Sequence, residues 1–232
     1  MLVGVTDTAF AETIRLAERA ARFGAEAVVL STPYYFPAGQ TELFRYFGEV
    51  VRLCPLPVML YNIPSLTKVA IELPTLQRLA ESPAILGVKD SSGDQDYFRQ
   101  LIGLKQQRPD WSILVGPEHL TAWAVRLGGD GGVNGGANIF PELFSALYSA
   151  ARGNEDVTVS QIQDVVNELQ GIYEVGKYAS RFIKATKCAV SLRGICLDRL
   201  AEPFNHFMPP ERQRVAEIIA KVETSLAELK VQ

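Results

Sequence analysis

The sequence predicts an α/β fold of six parallel βα units, followed by a segment that is entirely helical. Three observations lead to this prediction. Short apolar runs recur along the chain, an amphipathic segment with helical spacing follows each run, and the runs cease after Gly153. The runs are apolar at consecutive positions, as in strands that are covered on both faces. With 232 residues, the chain is long enough to bury a full core.

The βα units are predicted in order along the chain. Their strands are Leu2–Val5, Ala27–Thr32, Val58–Tyr61, Ile85–Lys89, Ser112–Gly116 and Gly131–Asn134. Their helices are Ala9–Phe23, Glu42–Leu53, Pro74–Glu81, Gln95–Lys105, His119–Leu127 and Pro141–Ala151. Thr8 is the predicted N-cap of the first helix and Gly24 its C-terminal stop.

Three further helices are predicted after the last unit, at Val157–Ile172, Tyr178–Leu192 and Pro210–Leu229. The chain therefore divides into βα units over residues 1–152 and a C-terminal helical extension over residues 153–232. Two architectures fit six units: an open doubly wound sheet, or a (β/α)₈ TIM barrel from which two units are absent. The first strand is not followed by a Gly-rich dinucleotide-binding turn, which favours the barrel.

Composition excludes several classes of protein and partner. Lys and Arg number 23 against 26 Asp and Glu, so no basic field is available for nucleic acid or for a membrane surface. No apolar run approaches the roughly 20 residues of a membrane span, and the start does not resemble a signal peptide. Cys54, Cys188 and Cys196 do not have metal-ligand spacing. A reducing cytoplasmic setting and no metal are predicted.

Lys89 and Tyr61 are the main catalytic candidates, because each ends a predicted strand and the two strands are neighbours. A desolvated lysine amine attacks a ketone to form a Schiff base, whose iminium accepts electrons when a carbon–carbon bond is made or broken. A nearby phenol moves protons in those steps. The alternatives are a solvated lysine paired with Asp90 or Asp94, and a tyrosine that only packs.

Three other segments lie at predicted strand ends. The glycine-rich stretch 128–136 allows backbone amides to hold a carboxylate or phosphate, or else closes the barrel. Tyr34 and Tyr35 lie on a loop, where they pack or form a lid or subunit contact. Glu118 and His119 are placed near polar groups of a substrate, with helix capping as the alternative for Glu118.

Four ordered motifs together resemble one family: Thr-Pro-Tyr-Tyr at 32–35, Tyr-Asn-Ile-Pro at 61–64, Gly-Val-Lys-Asp-Ser-Ser-Gly-Asp at 87–94, and Gly-Gly-Val-Asn-Gly-Gly-Ala-Asn at 131–138. It is the dihydrodipicolinate synthase and N-acetylneuraminate lyase family. Its members are class I pyruvate-dependent aldolases, carbon–carbon or hydro-lyases that work through a Schiff base on a (β/α)₈ barrel with added C-terminal helices. The resemblance covers essentially the whole chain.

The resemblance assigns roles to individual residues. Lys89 matches the lysine that forms the imine with pyruvate, so no separate cofactor is expected, and Tyr61 matches the proton-relaying tyrosine. Tyr35 matches a tyrosine that reaches a neighbouring subunit's site, within a homo-oligomer that is a tetramer in the family. The predicted contacts to a small 2-oxo acid substrate are Val133, Ser91, Gly116 and Glu118.

Two departures from the family pattern matter. Met1–Val5 resembles the third barrel strand, so two βα units and a Gly-x-x-Gly-Glu segment that binds pyruvate are expected to be missing. The absence of this pyruvate-binding segment supports an alternative function, a catalytically dead barrel with a binding or assembly role, whereas the presence of Lys89 and Tyr61 argues against it. Leu66 follows Ser65 where synthases carry arginine, which favours a 2-oxo-3-deoxy sugar acid or N-acylneuraminate over the substrate of 4-hydroxy-tetrahydrodipicolinate synthase.

Overall fold

Strands and helices alternate along the first two thirds of the chain, and only helices follow. The computed structural model describes residues 1–229. The strands β1–β6 span Leu2–Gly4, Ala27–Ser31, Val58–Asn62, Ile85–Asp90, Ser112–Val115 and Gly131–Gly132. The helices α1–α10 span Phe10–Arg22, Gln40–Leu53, Pro64–Thr67, Leu73–Leu79, Gln95–Gly103, Thr121–Arg126, Pro141–Arg152, Asp156–Gln170, Arg181–Leu192 and Pro209–Leu229.

The strands form one sheet in sequence order, β1-β2-β3-β4-β5-β6. Every pair from β1 to β5 is parallel, and a helix connects each strand to the next. Within residues 1–229, β1 and β6 lie at the two ends of this order and are not paired with each other. The predicted parallel βα architecture is confirmed, whereas a closed barrel is not formed by the part of the chain described.

The chain divides into two compact units. The first contains residues 1–117 and 127–131, with a core in which the inner strands pack against their helices. Val28, Leu60 and Val88 of the strands and Phe47 and Leu101 of the helices are fully buried there. All but one residue of β2 and all but one of β3 are buried, which explains why these strands appear in the sequence as apolar runs.

The second unit contains residues 118–126 and the chain from Gly132 onward. Its core is one apolar cluster from α6 to α10, in which Leu147, Val166, Leu169, Ala189 and Val222 are fully buried. The one-sided burial of each helix follows from apolar residues at helical spacing. This helical unit stabilises the segment after the last strand. The boundary that the sequence predicts at residue 152, between the βα units and the C-terminal helical extension, stays a prediction.

Several boundaries differ from the prediction. Thr8 does not cap α1, because Ala9 is the N-cap and Asp7 Oδ1 accepts the Ala9 N–H at 2.8 Å. Strand β6 stops at Gly132 instead of Asn134. The buried Asn134 accepts a hydrogen bond from Thr121 Oγ1 at 3.2 Å and folds back over Gly132, which ends the extended conformation.

Two helices also differ from the prediction. The short helix α3 was not foreseen, although Pro64 occupies its first turn, where proline is favoured. Helix α9 begins at Arg181 rather than Tyr178, because a 3₁₀ helix at Gly171–Glu174 and a positive φ of 102° at Gly176 separate it from α8.

Gly87 permits a close approach of β4 to β5. Its φ is +145°, and a Cβ there would lie 2.0 Å from the Ser112 carbonyl oxygen. An L side chain is therefore excluded both by backbone strain and by space.

We expect Gly87→Ala to lower the free energy of unfolding by at least about 2 kcal/mol, because the strand pair must separate or the backbone must change conformation. Urea unfolding followed by circular dichroism measures this. Gly4→Ala in β1 is the matched control, since a Cβ there meets nothing within 4 Å and φ is not positive. Equal destabilisation by both changes would contradict the prediction.

Candidate active site

Lys89 and Tyr61 lie side by side at the carboxyl ends of β4 and β3. Their Cα atoms are register partners in this parallel pair. The Lys89 Nζ lies 4.2 Å from the centroid of the Tyr61 ring, within the range of a cation–π contact. Both side chains are half-buried. The structure thus brings together the two catalytic candidates that the sequence placed on neighbouring strands.

The alternative in which Lys89 pairs with Asp90 or Asp94 is not observed among residues 1–229. Asp94 is the N-cap of α5, and its Oδ1 accepts the N–H groups of Asp96 and Tyr97 at 2.9 and 3.0 Å. Asp90 is buried and bonded to Asn62 and Ser92. The ammonium of Lys89 therefore lies against the aromatic ring of Tyr61 instead of a carboxylate.

Ser91 extends this pair into a small polar cluster. Its hydroxyl donates to the phenol oxygen of Tyr61 at 3.3 Å. Gly116 lies directly beside the Ser91 side chain: a Cβ added at Gly116 would be only 1.9 Å from the Ser91 Oγ. Four predicted site residues, Lys89, Tyr61, Ser91 and Gly116, thus occupy one end of the sheet within the first unit. A primary amine, a phenol and an aliphatic hydroxyl together can bind and protonate a carbonyl compound.

A buried polar pair follows Tyr61 and Lys89 directly in sequence. Asn62 and Asp90 are 1% and 2% exposed, and the Asn62 Nδ2 donates to Asp90 Oδ1 at 2.7 Å. Ser92 donates to the same carboxylate through its N–H at 3.1 Å and its hydroxyl at 2.9 Å. Burial raises the pKa of Asp90, while the hydrogen bonds from Asn62 and Ser92 lower it less than burial raises it.

Two other predicted site residues, Tyr35 and Val133, are exposed. Tyr35 belongs to the first unit and is 72% exposed on the loop after β2, in edge-to-face contact with Phe36. Val133 belongs to the second unit, just after β6, and is 46% exposed. Among the described residues, no hydrogen bond or ring contact joins Tyr35 to Lys89, Tyr61 or Ser91. The predicted roles of Tyr35 and Val133 therefore stay predictions.

Glu118 is buried within the second unit. Its Oε1 accepts the Gly136 N–H at 2.6 Å and the Tyr173 hydroxyl at 2.9 Å. Burial raises the pKa of Glu118, and hydrogen bonds from Gly136, Tyr173 and Gln170 oppose that rise. The pKa of Tyr173 is also raised, first by burial and then by the Glu118 charge. Glu118 therefore fixes the glycine-rich turn at Gly136, and a substrate contact by its side chain stays a prediction.

Comparison with known proteins decides the family. Residues 1–222 match the model of the dihydrodipicolinate synthetase family. The chain belongs to this family. A probable 2-dehydro-3-deoxy-D-pentonate aldolase of Escherichia coli K12 is 30% identical over 205 residues, which cover 88% of this chain and 67% of that relative. The predicted resemblance and the predicted enzyme class, a lyase, are confirmed.

Solved structures of the family have the same fold over the matched region. Dihydrodipicolinate synthase from Bacteroides thetaiotaomicron is 44% identical, with a TM-score of 0.90, and the match covers 95% of this chain and 74% of that one. An E. coli K12 prophage protein of the dihydrodipicolinic acid synthase family, solved in complex with pyruvate, is 27% identical with a TM-score of 0.87. That match covers 100% of this chain and 75% of the other.

The candidate site contains no clustered metal ligands in the part of the chain described, where no three His, Cys, Asp or Glu side chains come together. None of the helices within residues 1–229 is long and apolar enough to cross a bilayer.

Sequence reasoning missed Asn62 and Tyr173 and misread Asp90. The positions of Asn62 and Asp90 could have been inferred from the sequence. Asn62 follows Tyr61 and Asp90 follows Lys89, and successive strand residues point to opposite faces of the sheet. Tyr173 lies 55 residues from Glu118, and its contact depends on the packing of the helical unit.

The raised pKa of Asp90 predicts how stability depends on pH. Because the folded chain binds this proton more tightly than the unfolded chain, the free energy of unfolding should fall as pH rises from 3.8 through the raised pKa. Asp90→Asn removes the titrating carboxyl and with it this pH dependence. We therefore expect wild type to lose stability relative to Asp90→Asn across that range, as measured by urea unfolding at several pH values.

Asp110→Asn is the control with the opposite sign, because Arg108 lowers the pKa of the Asp110 carboxyl. Wild type should gain stability relative to that variant as pH rises. A wild-type advantage over Asp90→Asn that grows with pH would show that Asp90 is stabilised as a carboxylate.

Proposed function

We propose that the chain is a class I aldolase in which Lys89 forms a Schiff base with a 2-oxo acid. The observation that carries this proposal is the placement of the Lys89 amine 4.2 Å from the centre of the Tyr61 ring, at matched positions on adjacent parallel strands. Carboxyl ends of parallel strands are where barrel enzymes hold their catalytic groups. Family membership supports the same chemistry.

The reaction balances without any further group. The Lys89 amine adds to the C2 carbonyl of the 2-oxo acid, and loss of water gives the iminium. Removal of a proton from the C4 hydroxyl breaks the C3–C4 bond, the electron pair passes into the iminium to form an enamine, and an aldehyde leaves. Protonation of the enamine at C3 and hydrolysis release pyruvate and restore the amine. Because the imine itself accepts the electrons, no separate cofactor is needed.

The proton transfers are assigned to Tyr61. Its phenol borders the amine, and it is connected to Ser91, whose hydroxyl lies at 3.3 Å. A positioned phenol can protonate the departing hydroxyl of the carbinolamine and accept the C4 hydroxyl proton. Ser91 and Gly116 are proposed to contact the substrate beyond the reacting carbon. Val133, Glu118 and Tyr35 retain the predicted roles given by the resemblance.

The proposed substrate is a 2-oxo-3-deoxy sugar acid or an N-acylneuraminate. Leu66 after Ser65 supports this choice, and so does the E. coli relative described as a pentonate aldolase. A second candidate is 4-hydroxy-tetrahydrodipicolinate synthase, which the 44% identity to the Bacteroides thetaiotaomicron synthase favours. Pyruvate release from 2-oxo-3-deoxy sugar acids, compared with pyruvate consumption in the presence of aspartate semialdehyde, separates the two.

We also propose the architecture and setting that go with this function. The six βα units correspond to units three to eight of a (β/α)₈ barrel over residues 1–152, and residues 153–232 are the predicted helical extension, of which residues 230–232 lie outside the described part of the chain. Tyr34, Tyr35 and Phe36 are exposed together, which supports a homo-oligomer with this loop at a contact. Within the residues described, Cys54, Cys188 and Cys196 are free thiols, which supports a reducing cytoplasm.

Borohydride reduction in the presence of pyruvate should attach one pyruvate-derived mass to the chain, at Lys89. Peptide mass spectrometry locates the adduct. Lys89→Ala should abolish it, whereas Lys221→Ala, which removes an exposed lysine of α10, should not. Adduct formation by Lys89→Ala would overturn the assignment, and no adduct on the wild type would favour a binding or assembly role.

Tyr61→Phe should lower turnover by roughly 10²–10⁴-fold, because it removes a positioned proton donor and keeps the ring. Steady-state pyruvate release measures this effect. Tyr148→Phe on α7 is the matched control and should leave turnover unchanged. A normal rate for Tyr61→Phe would show that the tyrosine only packs against Lys89.

A further inference from the structure

We propose that Asp90 is a positioning residue: its buried carboxylate, bonded to Asn62, holds β3 and β4 so that Tyr61 and Lys89 face each other. This inference rests on the proposed function. Asp90 acts through the backbone and through Asn62, and its side chain is not assigned a contact with substrate.

Strand geometry links the contact between Asn62 and Asp90 to the contact between Tyr61 and Lys89. Asn62 follows Tyr61, Asp90 follows Lys89, and the two pairs are in register. Successive side chains on a strand point to opposite faces. The contact between Asn62 and Asp90 therefore lies directly behind the contact between Tyr61 and Lys89, and any slip of one strand against the other changes both.

The Asp90 carboxylate accepts hydrogen bonds from three donors. Oδ1 accepts from Asn62 Nδ2 at 2.7 Å and from Ser92 N at 3.1 Å, and Oδ2 accepts from Ser92 Oγ at 2.9 Å. Asn62 Oδ1 in turn accepts the Ile71 N–H at 2.9 Å. One buried pair thus joins the end of β3, the turn after β4 and the segment that leads into α4.

The backbone carbonyls of Asn62 and Asp90 position two further residues of the cluster, Ser91 and Gly116. The Asn62 carbonyl accepts the Ser91 N–H at 2.8 Å, and the Asp90 carbonyl accepts the Gly116 N–H at 2.7 Å. Ser91 in turn bonds to the Tyr61 phenol. The main chains of Asn62 and Asp90 therefore place Ser91 and Gly116, while their side chains fix the two strand ends.

Among residues 1–229, Asp90 forms no ion pair, and its hydrogen-bond donors are neutral. Burying a carboxylate without a cation costs free energy of folding, so this contact is poorly suited to stabilising the two strands alone. Its value is geometric, because two carboxylate oxygens accept donors from two segments at once.

The test compares variants that remove the contact with one that keeps its shape. Asp90→Ala removes both carboxylate oxygens and leaves the Asn62 Nδ2 without its acceptor, while the backbone carbonyl of Asp90 and the contact of Asn62 Oδ1 with Ile71 remain. Asp90→Asn keeps Oδ1 as an acceptor, and the Ser92 hydroxyl can turn to accept from the new amide. Arg108→Ala is the matched control, because Arg108 holds the other end of β4 through the carbonyls of Ala80, Ser82 and Ile85.

Two measurements are made on the folded chain. The first is the rate at which pyruvate is trapped on Lys89 by borohydride. The second is the NMR resonance of Lys89 after reductive ¹³C-methylation, assigned by its absence in Lys89→Arg. In wild type the Tyr61 ring should shift that resonance upfield of other lysines, because Nζ lies over the ring.

We expect Asp90→Ala to slow trapping by about 10–100-fold, and Asp90→Asn and Arg108→Ala to change it by less than about threefold. The upfield shift should be lost in Asp90→Ala alone. Normal trapping or a retained shift in Asp90→Ala would overturn the proposal, and so would an equal loss in Arg108→Ala, which would indicate general destabilisation. If wild type is not trapped at Lys89, the proposed function fails, while the NMR comparison still tests the positioning role.

Discussion

The register between β3 and β4 is the constraint on which the rest of the site depends. In this register Tyr61 lies opposite Lys89, and Asn62 lies opposite Asp90. Because strand side chains alternate between faces, one alignment creates an aromatic–amine contact on one face and a buried amide–carboxylate contact on the other. A shift by one residue would place Val88 or Asp90 opposite Tyr61, depending on its direction, and would disrupt both contacts.

This register differs from the one expected if β3 and β4 paired residue by residue from their first residues, Val58 and Ile85. Val58 pairs with Ile85, but Met59 pairs with Gly87, so Leu86 is an extra residue in β4. Without that irregularity, Tyr61 would lie opposite Val88. Bulges re-aim side chains near active sites, and the positive φ of Gly87 together with its close approach to Ser112 allows this one. A glycine two positions before Lys89 therefore has a direct effect on which residue the lysine meets.

The sequence was sufficient to predict the sheet, its parallel order and the strand-end positions of Tyr61 and Lys89, because these follow from local apolar runs and helical spacing. It was insufficient for features that depend on contacts between distant segments. The early end of β6 depends on the Asn134 side chain reaching Thr121, and the burial of Glu118 depends on Tyr173. Asp90 was considered only as a partner of Lys89, although strand alternation places it on the opposite face.

Within residues 1–229, Asp90 and Glu118 are the two buried acids, and each holds a turn in its own unit. Asp90 accepts hydrogen bonds from Asn62 and Ser92, and Glu118 accepts them from Gly136 and Tyr173. In both cases burial raises the pKa of the carboxyl, so ionisation opposes folding. Each acid nevertheless joins a turn to a neighbouring element, which an apolar side chain cannot do, since it would leave buried N–H groups without acceptors. Stability must then come from the apolar cores of the two units, and the acids determine the conformation of the turns where the proposed chemistry and the glycine-rich segment lie.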